Sequence, residues 1–160
     1  MTTLDPVPRE VFVVRVLRES VPIHFDPIAR LPLPRAFQVA SHDRTSARER
    51  GEPVHLSVYD LSRTTSAEVI DARQKGREFF EPMAAFRLKV ADVEDLDQHY
   101  PLRVARFERP EQGAVGLAHA GIVGLDKSQR PTDSIEAVSR QLCGCCELVT
   151  GKSTPSLQTG

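Results

Sequence analysis

The chain has 160 residues, 40% of them hydrophobic and 27% charged. That is the size and balance of one globular domain, which excludes collagen-like, coiled-coil and wholly disordered chains. Lys+Arg 21 against Asp+Glu 22 leaves a net charge of -1, so no bulk attraction draws it to nucleic acid or an anionic membrane. No stretch approaches the roughly 18 apolar residues of a membrane span, and the first residues lack a basic-then-apolar leader. With three crowded cysteines that cannot form a disulfide framework, the expectation is a cytoplasmic protein.

Pro6 and Pro8 extend the first residues, and Val11–Arg18 is rich in β-branched and aromatic residues, which predicts a strand. Arg15 interrupts it, and either leaves the sheet at an edge, the commoner arrangement, or points into a pocket with a partner. From Val21 to Pro34 four prolines alternate with Ile23, Phe25, Ile28, Leu31 and Leu33. The prolines disfavour helix and the apolar residues are costly to leave in water, so this segment is expected to wrap over the core. Arg35–Val39 is a candidate short strand. Residues 41–53 are polar and arginine-rich, with Arg44, Arg48 and Arg50 expected on one exposed, mobile loop.

Val54–Tyr59 alternates with period two, placing Leu56 and Val58 on one face and His55, Ser57 and Tyr59 on the other. Thr65-x-x-Glu68 has the form of a capping box opening a helix over Ser66–Lys75, closed by Gly76. Phe79, Phe80 and Met83 flank Pro82 and are expected to pack beneath the next element. Phe86–Val90 and Leu102–Phe107 read as strands with one wet face, separated by the acidic run from Asp92 to Asp97. Gly113–Leu125 is apolar on both faces and is the candidate central strand. Its Gly116, Ala118, Ala120 and Gly121 suggest close approach of another backbone or helix.

After Pro131, Ile135, Val138 and Leu142 recur at helical spacing, with Asp133-x-x-Glu136 as a cap and Gly144 as the stop. A short strand follows at 145–149, then a polar tail. The expected fold is α+β: a single domain over 1–150, a mainly antiparallel sheet with two or more short helices, and a flexible tail at 151–160.

Cys143, Cys145 and Cys146 have the thiolates that bind zinc, but no second Cys/His cluster completes a site, so no metal is expected. A helix end with small buried thiols is the better reading. A reactive cysteine is the lesser one, since the negative end of the helix dipole raises a thiol pKa. His119 is read either as a satisfied core or rim histidine, on a face shared with Val115, Leu117 and Val123, or as a tuned base in a pocket. His55, Ser57 and Tyr59 are either a solvated strand face or a ligand-binding row. In the second case Arg15 or Arg44 would supply a phosphate or carboxylate clamp. P-loop, dinucleotide, α/β-hydrolase and zincin motifs are absent, and with no tryptophan a base-stacking platform is poorly supplied.

The His55/Ser57/Tyr59 row resembles the polar rows of ADP-ribosyltransferase-like folds, in which a strand-borne His or Arg, a Ser/Tyr row and a late Glu hold NAD. The chain departs from that pattern, lacking a glycine-rich phosphate loop and a clear downstream Glu. Arg35-Ala-Phe37, Leu56-Ser-Val58, Thr64-Thr65 and His119-Ala120 also resemble a pattern in small uncharacterised bacterial proteins, over about 27–125. The segment from Phe37 to Leu56 is longer and more arginine-rich than in that pattern. The resemblance implies a bacterial, cytoplasmic protein and no particular reaction.

The leading expectation is a bacterial accessory protein that binds a protein partner through the arginine-rich segment, with no cofactor. The alternative is a small nucleotide- or NAD-directed enzyme using His55, Ser57, Tyr59 and His119. Binding of nucleic-acid phosphates through a local arginine face ranks last.

Overall fold

A computed structural model describes residues 4–75 and 81–149. The expectations for Gly76, Phe79, Phe80 and the 151–160 tail lie outside the described residues.

The β-branched run folds as β1 (Phe12–Arg18). The proline-rich segment that follows carries a two-strand ribbon, β2 (Phe25–Asp26) with β3 (Leu31–Pro32), and a 3-10 turn at Pro34–Phe37. The expected strand at 35–39 gives way to that turn because Pro34, at its start, fixes φ in the helical range. Phe25 and Phe37 are fully buried, as a wrapping segment requires, but Ile23, Ile28 and Leu31 are 55%, 93% and 53% exposed. The wrap is therefore only half apolar contact.

Residues expected to form a mobile loop form α1 (Ser41–Arg50) instead. The Asp43 carboxylate accepts the Ala40 N–H at 3.0 Å, and Gly51 closes the helix at φ 68, a left-handed conformation that glycine adopts at no steric cost. Only Ala47 is buried, so no apolar periodicity marks this helix. Then come β4 (His55–Asp60), α2 (Ser66–Gln74), β5 (Met83–Lys89), α3 (Val90–Glu94) and β6 (Arg103–Arg106). The capping box on α2 is present, with Thr65 Oγ1 accepting from the Glu68 N–H and Glu68 accepting from the Thr65 N–H.

The apolar run at 113–125 is not one strand. It splits into α4 (Gly113–Leu117) and β7 (His119–Val123), so Val115 and Leu117 do not share a strand face with His119. A continuous apolar run carries no period to separate the two. Gly116 permits the split, because a Cβ there would stand 2.0 Å from the Arg109 carbonyl oxygen. Next, α5 (Thr132–Cys145) starts after Pro131 without the expected side-chain cap. It runs through Gly144, and β8 (Glu147–Leu148) ends the sheet.

The six-stranded sheet has the order β6-β7-β4-β1-β5-β8 with every described pairing antiparallel. This is a single α+β domain. The central strands are β4 and β1, not the 113–125 run. On one face Leu56, Val58, Phe86, Leu88 and Ile122 pack with Val138 and Leu142 of α5 and with Phe25 and Phe37. On the other, Val14, Val16, Met83 and Ala85 pack with Val69 and Ile70 of α2. Each large buried side chain contributes roughly 1.5–3 kcal/mol.

Candidate functional site

The period of two along β4 sends His55, Ser57 and Tyr59 to the face opposite Leu56 and Val58. Its antiparallel neighbour β7 sets Tyr59 opposite His119, Ser57 opposite Gly121 and His55 opposite Val123. Gly121 is what lets the row fit together: a Cβ there would lie 2.3 Å from His55 Cδ2. The His55 ring occupies that space and stacks on Phe107, with centroids 4.0 Å apart and planes 7° from parallel. The close approach expected at Gly121 is a histidine ring.

His119 is buried at 6% exposure, and its Nδ1 lies 2.7 Å from the Phe107 carbonyl oxygen. A carbonyl only accepts, so Nδ1 carries the proton and donates it. Nε2 is then a bare lone pair in the neutral ring, and the Ser57 hydroxyl donates to it at 3.0 Å. Burial, helped by the nearby Arg109 charge, lowers the His119 pKa to about 4, so the ring is neutral at pH 7. His55 is lowered as well, mainly by burial, and its Nδ1 donates to the Pro53 carbonyl at 2.9 Å. Tyr59 meets His119 edge-on, with ring centroids 5.4 Å apart.

His55, Ser57, Tyr59 and His119 all line one cavity of about 260 Å³, closed on its other side by Arg50, His42 and Asp43 of α1 and by Arg109. Sequence reasoning missed Arg109. It is 5% exposed, grips the Glu52 carboxylate with both terminal nitrogens at 2.8 and 2.7 Å, and also donates to the Phe107 carbonyl. Glu52 and Arg109 are 57 positions apart, and no local pattern announces such a pair. The Phe107 carbonyl thus holds both Arg109 and His119.

The arginines separate. Arg44 is bound to Asp126, which ties α1 to the turn after β7 and keeps it out of this cavity. Arg50 pairs with Glu111 at the rim, and Arg48 is exposed outside the cavity. Arg15 is not at an edge, because β1 is paired with β4 on one side and β5 on the other. Its Nε donates to the Ala36 carbonyl at 3.0 Å and its Nη1 to the Ser57 carbonyl at 2.9 Å. Burial, with Arg73 nearby, lowers its pKa to about 10.

Cys143 and Cys145 lie in the last turn of α5 and Cys146 follows it, all partly buried against the core. Burial raises all three thiols, Cys143 to about 11 and Cys146 to about 12. Among the described residues no group of three His, Cys, Asp or Glu side chains could hold a metal ion, and no helix is long and apolar enough to cross a membrane.

Comparison with family models, with curated proteins and with solved structures finds no match to this chain.

Proposed function

We propose that this protein is a small enzyme that uses Ser57 as nucleophile and His119 as base on a small molecule of nucleotide size. The observation that carries the reading is the Ser57–His119 hydrogen bond, with the histidine tautomer set by the Phe107 carbonyl. A nucleophile, a base within hydrogen-bond reach and a third group that orients the base form the arrangement that activates a hydroxyl. The electrophile is a carbon or phosphorus centre. The Ser57 Oγ bond to it forms as the hydroxyl proton passes to Nε2. The leaving group departs with its electron pair and takes that proton back. Water, deprotonated in turn by Nε2, then cleaves the serine ester and restores the hydroxyl.

A base with a pKa near 4 is weak, but a substrate anion beside the ring favours the imidazolium and moves the value toward neutrality. The unpaired cysteines suit a reducing, cytoplasmic compartment. A thermal-shift panel of nucleoside mono-, di- and triphosphates and dinucleotides tests the substrate class. A ligand at 100 times its Kd stabilises the protein by about 2.7 kcal/mol, and Ser57→Ala should leave that shift largely intact while abolishing turnover. No shift with any member of the panel contradicts the reading.

A second reading, binding of a protein partner, draws its support from the exposed Ile28 and Leu31 on the β2–β3 ribbon and Ile23 just before it. The arginines of 44–50 support it less, since Arg44 and Arg50 are already paired within the chain. Ile28→Asp should weaken partner capture if the ribbon is the contact, and capture left unchanged by both Ile28→Asp and Arg48→Gln contradicts this reading.

A further inference from the structure

Strands β1 and β4 pair only at Val13–Asp60 and Val14–Tyr59, whereas β1 and β5 stay in register over all seven residues of β1. From Arg15 of β1 and Val58 of β4 the strands part, and the Ser57 carbonyl takes its hydrogen bond from the Arg15 side chain. The gap is a second cavity of about 350 Å³ that shares His42, Asp43 and Ser57 with the first. Its wall is strongly basic, with Arg15, Arg18, Arg35, Arg73 and His24. Among the described residues Asp43 is the only acidic one on it, and that carboxylate is occupied by the Ala40 N–H.

Arg15 is held by two backbone carbonyls, has no carboxylate partner among the described residues, and has no described hydrogen bond at Nη2. Arg35 is exposed and likewise has no carboxylate partner among the described residues. Arg18 is paired with Glu81 at 3.6 Å, but the Arg15 and Arg35 guanidinium groups repel one another across the cavity, a cost that a bound anion removes. The start of α1, whose dipole end is positive, opens onto the same space.

We propose that this gap binds a phosphate-type oxyanion, the charged end of the ligand whose other end lies against Ser57 and His119. Arg15 and Arg35 supply the donors that grip it, and the Arg15–Ser57 bond fixes the distance between the anion and the nucleophile. The assignment rests on the Ser57–His119 reading for the ligand's far end but not for the anion itself.

The test is calorimetric titration of the whole chain with inorganic pyrophosphate at low salt, then with a nucleoside diphosphate. Pyrophosphate is expected to bind at one site, weakening as salt rises, and Arg35→Gln should weaken it about tenfold or more, since a charge-assisted bond is lost. Arg140→Gln, an exposed residue on α5 outside both cavities, should leave binding unchanged. The nucleoside diphosphate should bind more tightly than pyrophosphate. No saturable binding, or equal losses in R35Q and R140Q, overturns the anion site. A nucleoside diphosphate that binds no better than pyrophosphate overturns its link to the Ser57 cleft. His119→Asn should slow the reaction of Ser57 by about 10²-fold or more yet keep pyrophosphate binding, so failure of the two ideas is distinguishable.

Discussion

Ser57 reaches His119 diagonally across the β4–β7 ladder, its hydroxyl donating to Nε2 at 3.0 Å, because the residue directly opposite it is Gly121. Diagonal neighbours on adjacent strands lie about 7–8 Å apart at their backbones, within reach of a histidine. The contact follows from strand register and one missing side chain.

The buried neutral state of His119 makes stability depend on pH. The unfolded histidine takes up a proton near pH 6.5 and the folded one only near 4. Its contribution is therefore fully present above about 6.5 and is lost as pH falls through that window, by about 3 kcal/mol. Urea unfolding at pH 7.5, 5.5 and 4.5 should show this decline, and His119→Gln should flatten it. An equally steep decline in the variant contradicts the assignment.

Gly121→Ala places a methyl group where the His55 ring lies. The ring must move off Phe107, so the variant should lose about 1–3 kcal/mol, read as a lower urea midpoint with an unchanged slope. The aromatic ring-current shifts of His55 and Phe107 should change with it.

Much of this site was legible in β4, where strict alternation separates His55, Ser57 and Tyr59 from Leu56 and Val58. The strand at 12–18, the helix opened by Thr65 and the helix carrying Val138 and Leu142 were equally plain, because each shows a period or a cap. The helix at 41–50 was not, since it buries one alanine and is held by Asp43, Gly51 and the distant Asp126. The division of 113–125 was hidden by uniform apolarity. The Glu52–Arg109 pair and the opening beside Arg15 depend on register between remote strands, which no local pattern encodes.

Two ion pairs should differ sharply. Asp60 is fully buried and accepts from Ser62 N–H, Ser62 Oγ and Arg106 Nη2. Asp60→Ala removes the buried acceptor of Ser62 and leaves the half-buried Arg106 with only the more distant Asp5 carboxylate at 3.9 Å, and should cost about 3 kcal/mol. Glu147, exposed and paired with Arg87 at the sheet edge, should cost under about 1 kcal/mol when changed to Gln. Equal losses would show that the Asp60 network carries no special weight.

The raised thiols of Cys143 and Cys146 leave little thiolate at pH 8. Iodoacetamide should alkylate both slowly in the native protein and quickly in urea. Fast native labelling at Cys146 contradicts the burial argument.

The claim that Ser57 is an activated nucleophile is tested most directly by its reaction with a fluorophosphonate, followed by mass spectrometry at pH 7. Wild-type protein should carry one adduct, on Ser57. His119→Asn should slow its formation by about 10²-fold or more, while Ser57→Ala should abolish it. An unmodified Ser57 in the wild-type protein, or an adduct that forms equally fast without His119, contradicts the account.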